Sequence, residues 1–242
     1  VIRQLTLFFL LLAPLVAQAE EIKFPEEELA RESVLPIFDR PDSVQNRSVT
    51  TAHRFEFGLT GGWTMTDAFF NQISLGGIIA YHFNEVHGVN LMGSERMSGV
   101  SNNTDQLNTT KNVAPLNLQY APAPKYLALV NYQYTAYYGK LSLSKLSVGN
   151  LSLFGMVGAG TIGIGDGTFP TLSMGIGQKY YFNRSFALRF DLLVLAYQGP
   201  DILASGVNLT NVNTVQPSSA FPKKTIFDTM LTVGGVYLLP GS

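Results

Sequence analysis

Phe186-Ala187-Leu188-Arg189-Phe190-Asp191-Leu192-Leu193-Val194 puts a bulky apolar residue at every second position and sets Arg189 and Asp191 between them. Successive side chains of a strand point to opposite faces, so this stretch reads as a β-strand with one apolar and one charged face. An amphipathic helix would repeat its apolar positions roughly every 3.6 residues instead. The stretch before it behaves the same way: Leu172, Met174, Ile176, Tyr180 and Phe182 oppose Thr171, Ser173, Gly175, Gly177 and Lys179.

The period of two recurs on both sides. Phe55, Phe57, Leu59, Gly61 and Trp63 oppose Arg54, Glu56, Gly58, Thr60 and Thr64. Ile73, Leu75, Ile79, Tyr81 and Phe83 oppose Ser74, Gly76, Ala80 and His82, with Ile78 the exception. Val89, Leu91 and Met97 oppose Asn90, Ser94 and Arg96, while Glu95 falls on the apolar side. Val130, Tyr132, Tyr134, Ala136 and Tyr138 oppose Asn131, Gln133 and Thr135. Parity then breaks between Gly139 and Asn150, which predicts a longer connection before a strand carrying Leu151, Leu153, Val157 and Ala159. Phe227, Leu231, Val233, Tyr237 and Leu239 oppose Asp228, Thr232 and Gly234 in the last. The expectation is an all-β fold, an eight-stranded antiparallel transmembrane β-barrel spanning residues 51–240 with a short irregular N-terminal arm.

Alternation does not say which face is inside; three features point the apolar face at lipid. Aromatic residues gather near strand ends: Trp63, Phe69 and Phe70 at one rim, and Tyr81, Phe83, Tyr137, Tyr138, Tyr180, Tyr181 and Phe182 at the other, with Tyr237 in the girdle. Amphipathic rings belong at membrane–water interfaces, whereas a soluble core has no reason to hold them at its edges. Short links at Asn84–His87 and Asn183–Ser185 and a moderate one at Gly139–Gly149 alternate with long ones at Val100–Lys125 and Gln198–Lys224. That asymmetry fits the short turns and long loops of outer-membrane barrels, although Met65–Asn71 and Thr161–Thr168 are of medium length. The polar face carries Arg54, Glu56, Arg96, Lys179, Arg189, Asp191 and Asp228 among Gly, Ser and Thr. Mixed charges that pair suit a narrow lumen filled by side chains.

Composition narrows the classes further. Only 14% of the 242 residues are charged, against roughly 25% in an ordinary soluble chain, and this excludes extensive disorder. A formal charge of −1 leaves no basic footprint, so no nucleic-acid partner is expected. Without cysteine there is no disulfide, thiolate metal site or thiol nucleophile. Arg3, the uncharged run from Leu5 to Val16 and Ala17-Gln18-Ala19 predict a secretory signal over residues 1–19. Residues 20–50 hold eight acidic side chains against four basic ones, which predicts a mostly irregular periplasmic arm that reads as a solvated linker or as a docking arm for another envelope protein.

Tests for chemistry come out negative. His53, His82 and His87 do not converge by spacing, so no metal is expected. No serine lies within two residues of any histidine, and His82 falls on the polar face, away from a lipid substrate. The glycine run Gly155–Gly167 lacks the Gly-Lys-Ser/Thr ending of a phosphate loop. Neither catalytic residues nor a cofactor are expected, and the outer-membrane lipid is the expected surrounding. The asparagine-rich loops around Asn102–Asn117 and Asn208–Asn213 read as solvated caps or as a surface-contacting device.

Several short stretches taken together carry a resemblance. Ser43-Val44-Gln45-Asn46-Arg47, Phe55-Glu56-Phe57-Gly58, Asp67-Ala68-Phe69-Phe70, Tyr81-His82-Phe83-Asn84-Glu85, Tyr138-Gly139-Lys140 and Gly175-Ile176-Gly177-Gln178-Lys179-Tyr180-Tyr181-Phe182 resemble, in order and spacing, an outer-membrane β-barrel domain family of gliding and predatory Gram-negative bacteria. The resemblance runs from about Leu29 to Tyr197. It implies a small OmpA-like eight-stranded barrel with both termini periplasmic; some similar barrels belong to trans-envelope motility machines, where they anchor periplasmic partners, and the resemblance implies no catalytic residues. The ending Leu238-Leu239-Pro240-Gly241-Ser242 departs from the terminal aromatic usual in such barrels. Function therefore reads as structural anchoring in the cell envelope, with a narrow porin-like pore and a surface adhesin as alternatives.

Overall fold

The computed structural model describes residues 47–67, 70–101, 118–144, 147–202, 204, 209 and 212–240, with the side chains of all of these except 141–148. The expected leader, the arm up to residue 46, Phe69, the loop asparagines 102–117, Asn208 and Asn211 lie outside the described residues. Eight strands form a closed barrel in chain order, every neighbour antiparallel. They are β1 Arg54–Thr64, β2 Phe70–His82, β3 His87–Val100, β4 Pro124–Ser144, β5 Ser147–Ile164, β6 Gly167–Tyr181, β7 Phe186–Pro200 and β8 Lys223–Leu238. Closure occurs at β1, where Glu56 sits opposite Ala80 on one side and Leu238 on the other. Each of these eight strands is thereby paired on both sides, with no open edge to template aggregation.

The links follow local chemistry. At the end carrying the start of β1 and the end of β8, Asn84 Oδ1 accepts the Val86 and His87 N–H groups at 2.9 and 2.7 Å. Asn183 Oδ1 repeats this with Ser185 and Phe186 at 2.8 and 2.7 Å. Such side-chain acceptors close a turn without help from elsewhere in the fold. At the opposite, loop end, the expected medium link Thr161–Thr168 shrinks to Gly165-Asp166, because Gly165 takes φ 61° and closes a two-residue hairpin.

The expected connection Gly139–Gly149 is instead strand, paired from Lys140 opposite Asn150 to Ser144 opposite Ser147. Bulges at Thr135/Tyr137 and Ser142/Ser144 explain the lost parity. An extra residue in one strand swaps the faces of everything after it. Tyr137 therefore faces out, and Tyr138 is only 6% exposed, inside the barrel rather than in the lipid girdle. Tyr181 and Phe70, placed at the rims by sequence, are buried too.

The outer surface is apolar. Leu59 is 75% exposed and Leu172 66%, in company with Ile73, Leu75, Met174 and Ile176. In water such a band would be a large unfavourable patch; in a bilayer it is the contact surface. From Tyr237 to Phe227 along β8 is about ten residues, which at roughly 3.3 Å each and a tilt of roughly 40° spans about 25 Å, the height of an outer-membrane apolar band. Inward positions hold the core. Along β7 they run Arg189, Asp191, Leu193, Leu195, Tyr197, and along β3 Asn90, Met92, Ser94, Arg96. The lumen is thus layered, charged at the terminal end, apolar in the middle and polar again at the loop end.

Candidate functional site

Lys179 on β6 and Arg189 on β7 are direct cross-strand partners. Like charges so placed repel, so the pair needs carboxylates between them. Glu56 on β1 supplies one, accepting from Lys179 Nζ and from an Arg189 guanidinium nitrogen at 3.3 Å. Asp191, two positions along β7, takes the Arg189 Nε–H at 2.8 Å and the Thr232 hydroxyl at 3.2 Å. Two acidic and two basic side chains balance, all within 1% of full burial. The Phe154 ring lies 5.3 Å from the Lys179 ammonium and 4.8 Å from the Arg189 guanidinium, adding cation–π attraction in a buried site. His82 Nε2 stands 3.0 Å from Glu56, while His87 faces outward against Tyr132, so the two rings occupy opposite faces. Asn131 bridges Asn90 at 3.0 Å and Ser173 at 2.6 Å just beyond this cluster.

The seven charges picked from the polar face separate into three sets. Glu56, Lys179, Arg189 and Asp191 form the network above. Arg96 and Asp228 belong to the loop end, where Arg96 donates to Gln72 at 3.0 Å and Asp228 accepts the Tyr197 hydroxyl at 2.7 Å. Arg54 joins neither. It caps the terminal end through backbone carbonyls, donating to Leu239 at 2.6 Å, Thr50 at 2.7 Å, and Arg184 and Leu238 at 3.2 Å each. Of the aromatic residues assigned to the girdle, Trp63, Phe83, Phe182 and Tyr237 are exposed on the outer face, with Tyr81 and Tyr180 half-buried beside them; Tyr138 is the exception already described. Phe55–Tyr81, Tyr81–Phe83 and Tyr180–Phe182 ring contacts at 4.8, 5.3 and 5.6 Å tie the girdle together at the terminal end.

One functional element was not found by sequence reasoning. Residues 47–52, just before β1, lie across the terminal mouth and are fastened to Glu85 in the β2–β3 turn. Thr51 N–H and Ala52 N–H reach the Glu85 carboxylate at 3.0 Å each, the Thr51 hydroxyl at 3.1 Å and Arg47 at 3.2 Å. Val49 inserts among Tyr138, Tyr181, Ala187, Val236 and Leu238, and its N–H donates to the Tyr138 hydroxyl at 3.1 Å. Arg47 covers the same ring at 5.0 Å. The strap turns into β1 at His53, whose φ of 57° lies in the left-handed region that few non-glycine residues adopt. Two of the stretches that carry the resemblance, Ser43–Arg47 and Tyr81–Glu85, each hold one side of this clasp, but nothing in them marks the pairing across more than thirty residues.

Partial burial pushes the Glu85 carboxyl up, but the Ala52 and Thr51 N–H groups, the Thr51 hydroxyl and Arg47 outweigh that push and hold it below the ordinary carboxylate range. A carboxyl whose native value is lowered stabilises above its unfolded value and loses that contribution as pH falls through the native one. The strap should accordingly be fastened at neutral pH and loosen in acid below the ordinary carboxylate range. A spin label on Ser48→Cys, in a chain otherwise free of cysteine, is expected to be immobile at pH 7 and to gain mobility on acidification. Glu85→Gln should give the mobile spectrum already at pH 7 and cost about 1 kcal/mol. An immobile label in that variant contradicts the clasp.

No family model and no curated protein sequence matches the chain. Among solved structures it is similar to the N-terminal β-barrel domain of Pseudomonas aeruginosa OprF, at 14% identity and a TM-score of 0.40, over 78% of this chain and 98% of that one. It is also similar to a de novo designed transmembrane β-barrel, at 10% identity and a TM-score of 0.35, over 78% of this chain and 97% of that one.

Proposed function

We propose that this chain is a closed outer-membrane β-barrel whose role is anchorage: it holds residues 20–50 on the periplasmic side for a protein partner of the cell envelope. The single observation that carries the reading is the filled lumen. Arg189 bridges Asp191 and Glu56, and behind that pair Ile78, Met92, Leu129, Leu193 and Met230 meet in one buried cluster. An eight-stranded barrel is only wide enough for its own side chains, so such a filling leaves no path for solutes. A porin-like pore is therefore the weaker alternative.

The strap explains how the root of the arm is held. Four donors on Glu85 and four carbonyls on Arg54 fix the root of the arm to the β2–β3 turn, the β6–β7 turn and the end of β8. A pull on the arm is passed to several strands at once rather than to β1 alone. The class of partner that fits is a periplasmic component of a trans-envelope, motility-type assembly. Deletion of residues 20–41 is expected to leave insertion and heat-modifiable gel mobility intact while removing envelope proteins crosslinked to the barrel in cells. Insertion with an unchanged set of crosslinked partners would sink the proposal.

A further inference from the structure

At the loop end the lumen widens into a cup of about 340 Å³ that the anchoring role does not use. β1 stops at Thr64, opposite Met230, while β8 runs on back to Lys223. The missing wall is supplied by Thr66 and Asp67: Thr66 Oγ accepts the Thr229 N–H at 2.8 Å, and the Met65 N–H reaches the Thr229 carbonyl at 2.8 Å. Phe70, Ile164, Ile226 and Pro124 line the cup with apolar surface. A volume of 340 Å³ sits at the lower end of the roughly 300–1,000 Å³ typical of cavities that take small organic molecules.

Its charged groups are mainly acidic. Among the described residues Asp67, Asp201 and Asp228 line the cup against one cation, Lys224, which pairs with Asp201 at the rim at 3.9 Å. Arg96 bonds to Gln72 and lies outside the lining; counting it still leaves three carboxylates against two cations. Asp228 accepts the Tyr197 hydroxyl with one oxygen, and an ionised carboxylate has about four acceptor sites, so it retains capacity for a further donor. An anion entering here would meet net repulsion and apolar walls; a bare hydrated cation would leave those walls uncovered.

We propose that the loop-end cup binds a small amphiphilic cation, its ammonium group on Asp228 and its apolar body against Phe70, Ile164 and Ile226. The site is independent of the closed-anchor reading, because it lies at the other end of the barrel from the strap and the arm. The test is calorimetric titration of the full chain refolded in phosphatidylcholine nanodiscs, with empty nanodiscs subtracted, using octylammonium, octanoate and methylammonium as probes. Saturable one-to-one binding of octylammonium is expected, about tenfold or more tighter than octanoate, with no heat from methylammonium. Asp228→Asn should weaken octylammonium by about tenfold or more, and Ile226→Trp, which fills the cup without touching a charge, should abolish it. Heat-modifiable mobility establishes that each variant is folded, and Ile226→Trp carries the test where Asp228→Asn is not. Loss of the octylammonium signal on adding phosphatidylethanolamine assigns the natural ligand to aminolipid headgroups; persistence assigns it to soluble amines. Equal binding of octanoate and octylammonium, or binding untouched in the folded variants, overturns the proposal.

Discussion

Glu56→Gln is expected to destabilise the barrel by about 3–5 kcal/mol, the usual cost of removing one partner from a buried ion pair. The substitution takes the shared acceptor from Lys179 and Arg189, which face each other across the β6–β7 ladder and are buried in the lumen. Asp191 remains on Arg189, so the unpaired cation is Lys179. Removing that cation as well, in Glu56→Gln with Lys179→Met, should recover most of the loss, since a buried pair replaced by uncharged groups of similar volume is often near neutral. The quantity to measure is the urea midpoint of refolded protein in lipid vesicles. An unchanged midpoint for Glu56→Gln alone means that these charges are not sealed from water.

Gly160→Ala is expected to cost about 1–3 kcal/mol, the scale of overpacking a filled core. A Cβ on Gly160 would stand 1.9 Å from the Ala128 carbonyl oxygen and 2.8 Å from Leu129 Cα, both backbone atoms of β4 that cannot step aside alone. The control is Gly93→Ala, on the outer face with nothing within 4 Å of its Cβ position. It should be neutral or stabilising by about 0.4–1 kcal/mol through the unfolded chain. Comparing the two unfolding midpoints separates close strand approach in the lumen from a general need for glycine. Equal effects would remove the distinction.

The strands were legible because each keeps one face in lipid and one in the lumen, and the sequence of Phe186–Val194 records both. The inner apolar layer was less so. Leu193 and Leu195 face inward in alternation with the outward Leu192 and Val194, so the run reads as apolar on both sides and hides its own parity. Ile78 appeared as an exception for the same reason: a filled barrel needs a core of its own, and its middle layer is built from such exceptions. The bulge at Ala136 left no local sign, and one uncounted residue moved Tyr138 from the lipid face to the lumen. The charges could be named from alternation, but their grouping could not. Which of Arg54, Arg96 and Arg189 meets Glu56 depends on the register of β6, β7 and β8 around the closure. The Glu85 clasp joins a turn to a segment that precedes the barrel, a contact with no periodicity to betray it.

Single-channel recording of the refolded barrel in a planar bilayer bears most directly on the central claim that the lumen is closed. With folding established by heat-modifiable mobility, the account predicts a silent bilayer, for the full chain and equally for a chain lacking residues 20–46, because the Glu56 network and the apolar layer lie within the barrel itself. Steady, reproducible conductance from the full chain would contradict it and make Lys179, Arg189 and Asp191 lining residues of a pore.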